Sequence, residues 1–390
     1  MTEKFQFLLQ NQLLFGAGRS REVARFIQDR AFSRVLLVVD EGVERSSSYY
    51  REILEQLRSV ADLNVEVLRG SEEPDYDYLD QIAAKARSLP RPDLIIGVGG
   101  GSCLDTTKAV AVLLTNPGRG IEYRGFDKVR VPGVPTLLIP TTAGTGSEVT
   151  INAVFTDKAE KRKLGINGRH LNATWALLDA EWTLSCPTAA AISAAMDAMV
   201  HTLESFMCRQ HNALTRTLSR EAFRLLYGNL PCLLDDPLNV DRRQSLLLGA
   251  YLAGAALFNS GSGIAAAFSY PLGVHYRIPH GICGAVFISS VVEYNVERGY
   301  TDFAELIDLI EPGSARTAEE KARVFSDRLR TLCERMQVPR TLERWGVGLK
   351  DAEKVEQLLL PLQAAFDQNP IAFSAQRDAP VLLRRHLGEN

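Results

Sequence analysis

Cysteine is sparse and unpatterned. Six residues, at 103, 186, 208, 232, 283 and 333, are scattered through 390 without a C-x-x-C pair. That excludes a disulfide framework and a zinc knuckle, and points to a reducing, cytoplasmic setting. Concentrated charge is missing as well. Lys and Arg total 44 against 47 Asp and Glu, with net charge −3 and no basic cluster. Neither nucleic acid nor an anionic membrane is therefore expected as a partner. The longest apolar run, Leu246 to Phe258, is too short to cross a bilayer, and its Gly249, Ala253, Gly254 and Ala256 suit close helix packing. Met1-Thr2-Glu3-Lys4-Phe5 lacks the basic and apolar regions of a secretory leader. No internal repeat or low-complexity tract is present.

What is present reads as α/β. With 46% hydrophobic and 23% charged residues, the chain can bury sizeable cores, and its length suggests two or three domains. Residues 5–15 suggest one or two short strands, and Ser20 a cap for a helix reaching Arg30. Val35–Val39 reads as a strand buried on both faces, 49–60 as a helix, 65–68 as a strand and 76–88 as a helix. Alternation of this kind predicts a doubly wound parallel sheet. A turn-rich connection follows at 115–135, then a strand at 136–139. From about 185 the texture becomes helical, with Ala/Leu-rich segments at 188–209, 214–229, 241–258 and 318–335, and Pro187 marks a helix entry. The division is therefore 1–185, α/β, and 186–390, all-helical. Residues 346–390 carry no legible chemistry.

The organising stretch is Gly97-Val98-Gly99-Gly100-Gly101-Ser102-Cys103-Leu104-Asp105-Thr106-Thr107-Lys108, between an apolar strand and a buried helix. Strand, glycine turn and helix aim backbone N–H groups at a phosphate. Glycine is expected there for a tight turn and for close approach of a ligand. The spacing is neither G-x-G-x-x-G nor a P-loop, and a glycine-rich connection without a ligand is the plainer alternative. Asp40, ending its strand, suits a ribose diol and would repel a 2′-phosphate, favouring NAD over NADP; the alternative is a helix cap. Pro140-Thr141-Thr142-Ala143-Gly144-Thr145-Gly146-Ser147-Glu148-Val149-Thr150 is a second loop, rich in hydroxyls that can bond ribose, amide or phosphate.

In the helical half, Asp197 and His201 stand four apart and share a helix face. A divalent metal would satisfy such a buried pair, and an Asp–His hydrogen bond is the simpler reading. His280, between Pro279 and Gly281, sits on a bend between helices, placed to point across a cleft.

Together the Gly97–Lys108 loop, the Pro140–Thr150 loop, Asp197-x-x-x-His201 and Pro271-Leu272-Gly273 with Pro279-His280-Gly281 resemble the iron-containing (group III) alcohol dehydrogenase family, in order and interval, from about residue 14 to 295. The resemblance implies a Rossmann-like parallel-sheet domain, an all-α domain of the dehydroquinate synthase-like architecture, and an active site in the cleft between them. It implies NAD(P)-dependent interconversion of an alcohol and a carbonyl, commonly with Fe²⁺ or Zn²⁺, in a homodimer or larger assembly. By position, Asp40 would read the ribose, and Gly99, Gly100, Gly101 and Ser102 would hold the pyrophosphate. Thr141, Thr142 and Thr145 would line the adenine and nicotinamide path, and Lys163 would meet the nicotinamide-side ribose. Asp105 and Leu178 count with the cofactor residues. Asp197, His201 and His280 match three of four metal ligands.

The fourth position is Ala266, where relatives carry histidine, and a second family histidine, often assigned to proton relay, is Tyr270. Three ligands still make a workable catalytic site with an open position. His275 as a substitute ligand, and loss of the metal as in maleylacetate reductases, are the alternatives. With a metal, hydride transfer would be assisted by His280 and its partners, and Tyr270 would pass the proton if its phenol were acidified nearby. Ala266 widens the pocket toward a larger or more polar alcohol or aldehyde, of sugar-acid or phosphonate type, and Tyr123-Arg124-Gly125-Phe126 or Arg277 could serve an anion. A dehydroquinate synthase-like cyclase and an NAD-sensing binding protein are the competing classes.

Overall fold

The computed structural model describes residues 4–70, 73–313 and 316–388. Residues 1–3, part of the stretch read for a leader, lie outside it. By contact the chain forms two compact units, Leu9–Ala191 with Asp236–Tyr251, and Met1–Leu8, Ile192–Asp235 with Leu252–Asn390.

The first unit is built on strands β1 (Gln12–Phe15), β2 (Arg34–Asp40), β3 (Asp62–Leu68), β4 (Leu94–Gly99), β5 (Gly125–Phe126), β6 (Thr136–Pro140), β7 (Asn152–Asp157), β8 (Arg162–Asn167) and β9 (Trp175–Leu178). Helices α1 (Val23–Asp29), α2 (Glu41–Ser46), α3 (Ser48–Arg58), α4 (Tyr76–Ser88) and α5 (Gly101–Leu113) run between them. Six strands pair in the order β1-β9-β6-β4-β2-β3, every pair parallel. Successive side chains point to opposite faces. Leu36, Val38 and Ile95 pack with α4 and α5, while Val35, Leu37, Val39, Ile96, Val98, Leu137 and Ile139 pack with α1 and α3. Burial on both faces is why these strands read as unbroken apolar runs. After β3 the chain returns to the other side of β2 to form β4, so strand order reverses between β2 and β4. In open parallel sheets that reversal opens a crevice at the carboxyl ends.

Local expectations fail where tertiary bonds take over. Of residues 5–15 only Gln12–Phe15 is a strand. Ser20 caps no helix: its hydroxyl accepts from the Trp182 indole at 2.7 Å, and its amide donates to Asp179 Oδ2 at 2.9 Å. The β7–β8 hairpin, antiparallel and joined through a charged turn with Lys161 at φ 51°, has too few apolar residues to declare itself in sequence. Asp236–Tyr251 belongs with the sheet although it is helical. Gln244 donates to the Leu178 carbonyl (2.8 Å) and accepts from Ala180 N (2.9 Å), and Arg243 donates to the Thr183 carbonyl (2.7 Å).

The second unit is helical, with α6 (Thr188–Met207), α7 (Ala213–Asn229), α8 (Cys232–Asp235), α9 (Val240–Phe258), α10 (Ile264–Tyr276), α11 (His280–Glu297), α12 (Ala304–Ile310), α13 (Ala318–Arg335), α14 (Ala352–Leu359), α15 (Gln363–Phe366) and α16 (Asp378–Arg384). Part of α9 is the segment already assigned to the sheet, and α6 begins ahead of the unit's first helical residue, Ile192. Aromatic pairs such as Phe268–Phe287 (centroids 4.6 Å apart) and Phe303–Phe325 (4.8 Å) fill its interior. Among the described residues no helix is long and apolar enough to cross a membrane. All six cysteines are free thiols.

Asp179, fully buried after β9, ties the sheet unit together. Its carboxylate accepts from Gly18 N (2.8 Å), Ser20 N (2.9 Å), Tyr49 Oη (2.8 Å) and Glu181 N (3.1 Å). Replacing it with alanine strands these donors, so Asp179→Ala is expected to cost at least about 3 kcal/mol. Urea unfolding measures that loss, and a change below about 1 kcal/mol contradicts the role.

Candidate functional site

The cofactor candidates converge at the carboxyl ends of β2, β4 and β6. Thr141 N donates to the Gly99 carbonyl at 3.0 Å, joining the two loops at their roots. Gly100 precedes α5 with φ −74°, and no side chain caps that helix. The amides of Gly101 and Ser102 meet no protein acceptor among the described residues, as an anion-binding helix start requires. The turn itself does not demand glycine, since none of Gly97, Gly99, Gly100 and Gly101 has positive φ. Close packing does. A Cβ on Gly99 would lie 2.5 Å from Cys103 Cβ, and one on Gly101 would lie 2.5 Å from Thr145 Cγ2. Packing, more than the tight turn expected from the sequence, is thus what calls for glycine at 99 and 101.

Asp40 sits beside this crevice, its Cβ 3.0 Å from where a Gly99 Cβ would stand. Its Oδ1 accepts from Gly42 N at 2.7 Å and so caps α2. Thr142 is half-buried beside Gly100, and Thr145 Oγ1 accepts from Ser147 N at 3.2 Å.

Other candidates are turned inward. Asp105 accepts from Ser147 Oγ (2.5 Å) and Val154 N (2.9 Å) and pairs with Lys108 Nζ at 3.0 Å. Lys108, buried, also donates to the Ser147 carbonyl at 2.8 Å and to the Asn152 carbonyl. The pair holds the second loop against α5. Leu178 is wholly buried on β9, its carbonyl taken by Gly16 N and Gln244, and it presents no surface to a ligand. Lys163 Nζ pairs with Glu73 at 2.6 Å. Arg124, read as an anion site, is spent on Asp157 (2.6 Å) and Glu160 (3.0 Å).

In the helical unit, Asp197, His201 and His280 each bring one ligand atom to within 4.8 Å of the others. His201 Nε2 lies 3.6 Å and His280 Nε2 4.0 Å from Asp197 Oδ1. Those distances exceed a hydrogen bond, so the donors face one another without bonding directly. Tetrahedral ligands at about 2.0–2.1 Å from a zinc ion stand roughly 3.3 Å apart, so this cluster is somewhat wider than one drawn in around an ion. His201 Nδ1 is buried with no hydrogen-bond partner, an unspent polar atom in the same cluster. The residues fit a divalent cation. His275 is not among the grouped ligands.

The geometry follows from how three helices meet. Asp197 and His201 occupy one face of α6 at i, i+4. Pro279 starts α11 at His280, and Gly281 lets α11 approach α6: a Cβ there would lie 2.3 Å from the Ser193 carbonyl and 2.8 Å from Asp197 Cβ. Glu204, one turn beyond His201, binds the start of α10 through the amides of Gly263 (2.7 Å), Ala265 (2.7 Å) and Ala266 (3.3 Å). Burial pushes its carboxyl up to about 7, against the pull of those three amides. From α10, the half-exposed Tyr270 ring lies 5.2 Å from the His280 ring. Ser269 Oγ reaches His280 Nδ1 at 3.0 Å. Neither Glu204 nor Ser269 was singled out in sequence. The only signal was Glu204 standing three residues after His201 on one helix face.

Comparison with known proteins places the chain in a family. Residues 10–180 match the model of iron-containing alcohol dehydrogenases, and residues 191–383 match that of the C-terminal part of the same family. The lactaldehyde reductase of Escherichia coli K12 is 32% identical over 275 residues, 69% of this chain and 70% of that protein. The NAD-dependent methanol dehydrogenase of Bacillus methanolicus is 28% identical over 351 residues, 89% and 91% of the two chains. A crystal structure of 1,3-propanediol oxidoreductase superposes with a TM-score of 0.90 at 26% identity, covering 98% of this chain and 100% of that one. The chain belongs to the iron-containing alcohol dehydrogenase family and is an oxidoreductase of alcohols or aldehydes.

Two outcomes follow. Gly281→Ala forces α11 off α6 and is expected to cost about 1–3 kcal/mol, read by thermal unfolding; an unchanged Tm contradicts the close approach. Glu148, buried in the second loop, has its carboxyl pushed up to about 7 by desolvation. A raised carboxyl favours folding in its protonated form, so its stabilisation is full below about 4.5 and is lost as pH rises through about 7. The stability of Glu148→Gln relative to the native chain should therefore grow by roughly 1–3 kcal/mol between pH 4.5 and 8. A pH-independent difference in denaturant midpoints contradicts it.

Proposed function

We propose that the protein interconverts a polar alcohol and its aldehyde or ketone, using NAD and a divalent metal, iron or zinc, at Asp197, His201 and His280. The observation that carries this reading is the mutual facing of those three side chains at separations too long for hydrogen bonds. The amides of Gly101 and Ser102 would bind the pyrophosphate, and Asp40 would accept from the ribose diol and disfavour the 2′-phosphate of NADP. The name of the B. methanolicus relative supports NAD.

In the oxidation direction the carbinol carbon gives a hydride to nicotinamide C4, and the hydroxyl gives up its proton; reduction is the reverse. The cation, when bound, supplies a Lewis acid that stabilises developing alkoxide charge. The chain's own part is positioning: α6 fixes Asp197 and His201, and the start of α11 fixes His280. Tyr270, ring to ring with His280, is assigned the proton transfer that the missing family histidine would perform.

A second reading rests on Ala266. With that ligand position gone, hydride transfer would run on protein hydrogen bonds alone.

Net NADH consumption with a panel of short aldehydes bearing a second polar group tests the reaction. Conversion of substrate without net change in NADH contradicts it and favours a cyclase. His280→Ala is expected to lower kcat at least about 100-fold and Tyr270→Phe about 100-fold or more. Full activity of His280→Ala would favour the metal-free reading, and a Tyr270→Phe rate unchanged across pH would dismiss the relay.

A further inference from the structure

Ser269 lies on α10, three residues after Ala266, and is fully buried. Its Oγ is 2.6 Å from the Ala266 carbonyl and 3.0 Å from His280 Nδ1. A serine hydroxyl carries one hydrogen and two lone pairs. A carbonyl oxygen has no hydrogen to give, so at 2.6 Å the Ser269 hydrogen is committed to Ala266. Toward His280 the hydroxyl can then only accept. The ring must donate from Nδ1, and in neutral imidazole the lone pair falls on Nε2. Nε2 is the nitrogen that lies 4.0 Å from Asp197 Oδ1, on the ligand cluster.

We infer that Ser269 is a positioning residue: it fixes the tautomer and the ring plane of His280 so that Nε2 presents a lone pair to the cation. The inference rests on the metal reading given above. Burial makes the device rigid, since Ser269 has no solvent to turn toward. Its helix is held in turn by Glu204, which binds the α10 amides from the helix carrying His201. One strut, α10, thus connects the backbone bearing His201 to the ring of His280. In a cluster with three protein ligands, each ligand's orientation carries a larger share of affinity than in one with four. Partners that orient a ligating histidine are typically worth 10–100-fold in metal affinity.

The test is metal affinity, measured without turnover. Zn²⁺ binding to the full, metal-stripped chain is followed by competition with a chromophoric chelator, for the native chain, Ser269→Ala and Ser269→Thr. Apo-protein Tm and NADH binding are recorded alongside. The inference expects Ser269→Ala to bind Zn²⁺ about 10–100-fold more weakly, with NADH binding unchanged and the apo-protein still folded. Ser269→Thr, which keeps the hydroxyl, should restore most of the affinity. Should threonine not fit the buried site, the alanine variant decides alone. Equal affinity in the native and alanine chains overturns the positioning role and leaves the metal reading intact. A lowered apo Tm with unchanged affinity assigns Ser269 to structure only and also overturns it. A native chain that binds no Zn²⁺ overturns the metal reading itself, and this inference with it.

Discussion

How near α11 comes to α6 decides whether the helical unit has a site. Gly281 sets that distance, because any side chain there would collide with the Ser193 carbonyl and with Asp197. Only at this approach does His280, the first residue of α11, come opposite Asp197 Oδ1 and join His201. The hydrogen bonds from α10 then act on a geometry already closed. Glu204 anchors the start of that helix, and Ser269 and Tyr270 meet the His280 ring from it. The cluster is thus a packing solution among three helices, with the proposed ligands at the contact.

The sheet unit uses glycine in the same way. Gly99 and Gly101 are small because Cys103 and Thr145 press on them, not because the backbone turns left-handed. The close fit brings the Pro140–Thr150 loop against α5, where Asp105 and Lys108 fasten it from below. Polar side chains are consumed in this fastening, and the backbone amides of Gly101 and Ser102 are what the arrangement leaves for a ligand. A phosphate bound there, as proposed, would be held by main chain and the helix dipole rather than by a basic side chain.

Much of this was legible in the sequence, for identifiable reasons. The strands 34–40 and 94–99 are apolar on both faces because helices cover both, and that pattern admits little else. Asp197 and His201 declare themselves by spacing on one helix. His280 stood out by its bend between Pro279 and Gly281, but its grouping with Asp197 needed the family resemblance, since nothing local says that a residue far along the chain will face Asp197. Ser20 misled, because the tertiary partner that uses it, Trp182, lies far away in the chain. Ser269 was silent, since one hydroxyl beside Tyr270 has no periodicity and no motif. Lys163 and Arg124 show the converse: cations that looked available are answered by Glu73, Asp157 and Glu160.

The central claim is that Asp197, His201 and His280 hold a divalent cation despite Ala266. The direct measurement is metal content by mass spectrometry of protein purified anaerobically, without chelator or nickel resin, and again after reconstitution with Fe²⁺ or Zn²⁺. About one iron or zinc per chain is predicted, since three side-chain ligands suffice for a catalytic site with an open position. Substoichiometric traces that do not rise on reconstitution would contradict the account and leave the site to protein hydrogen bonds alone.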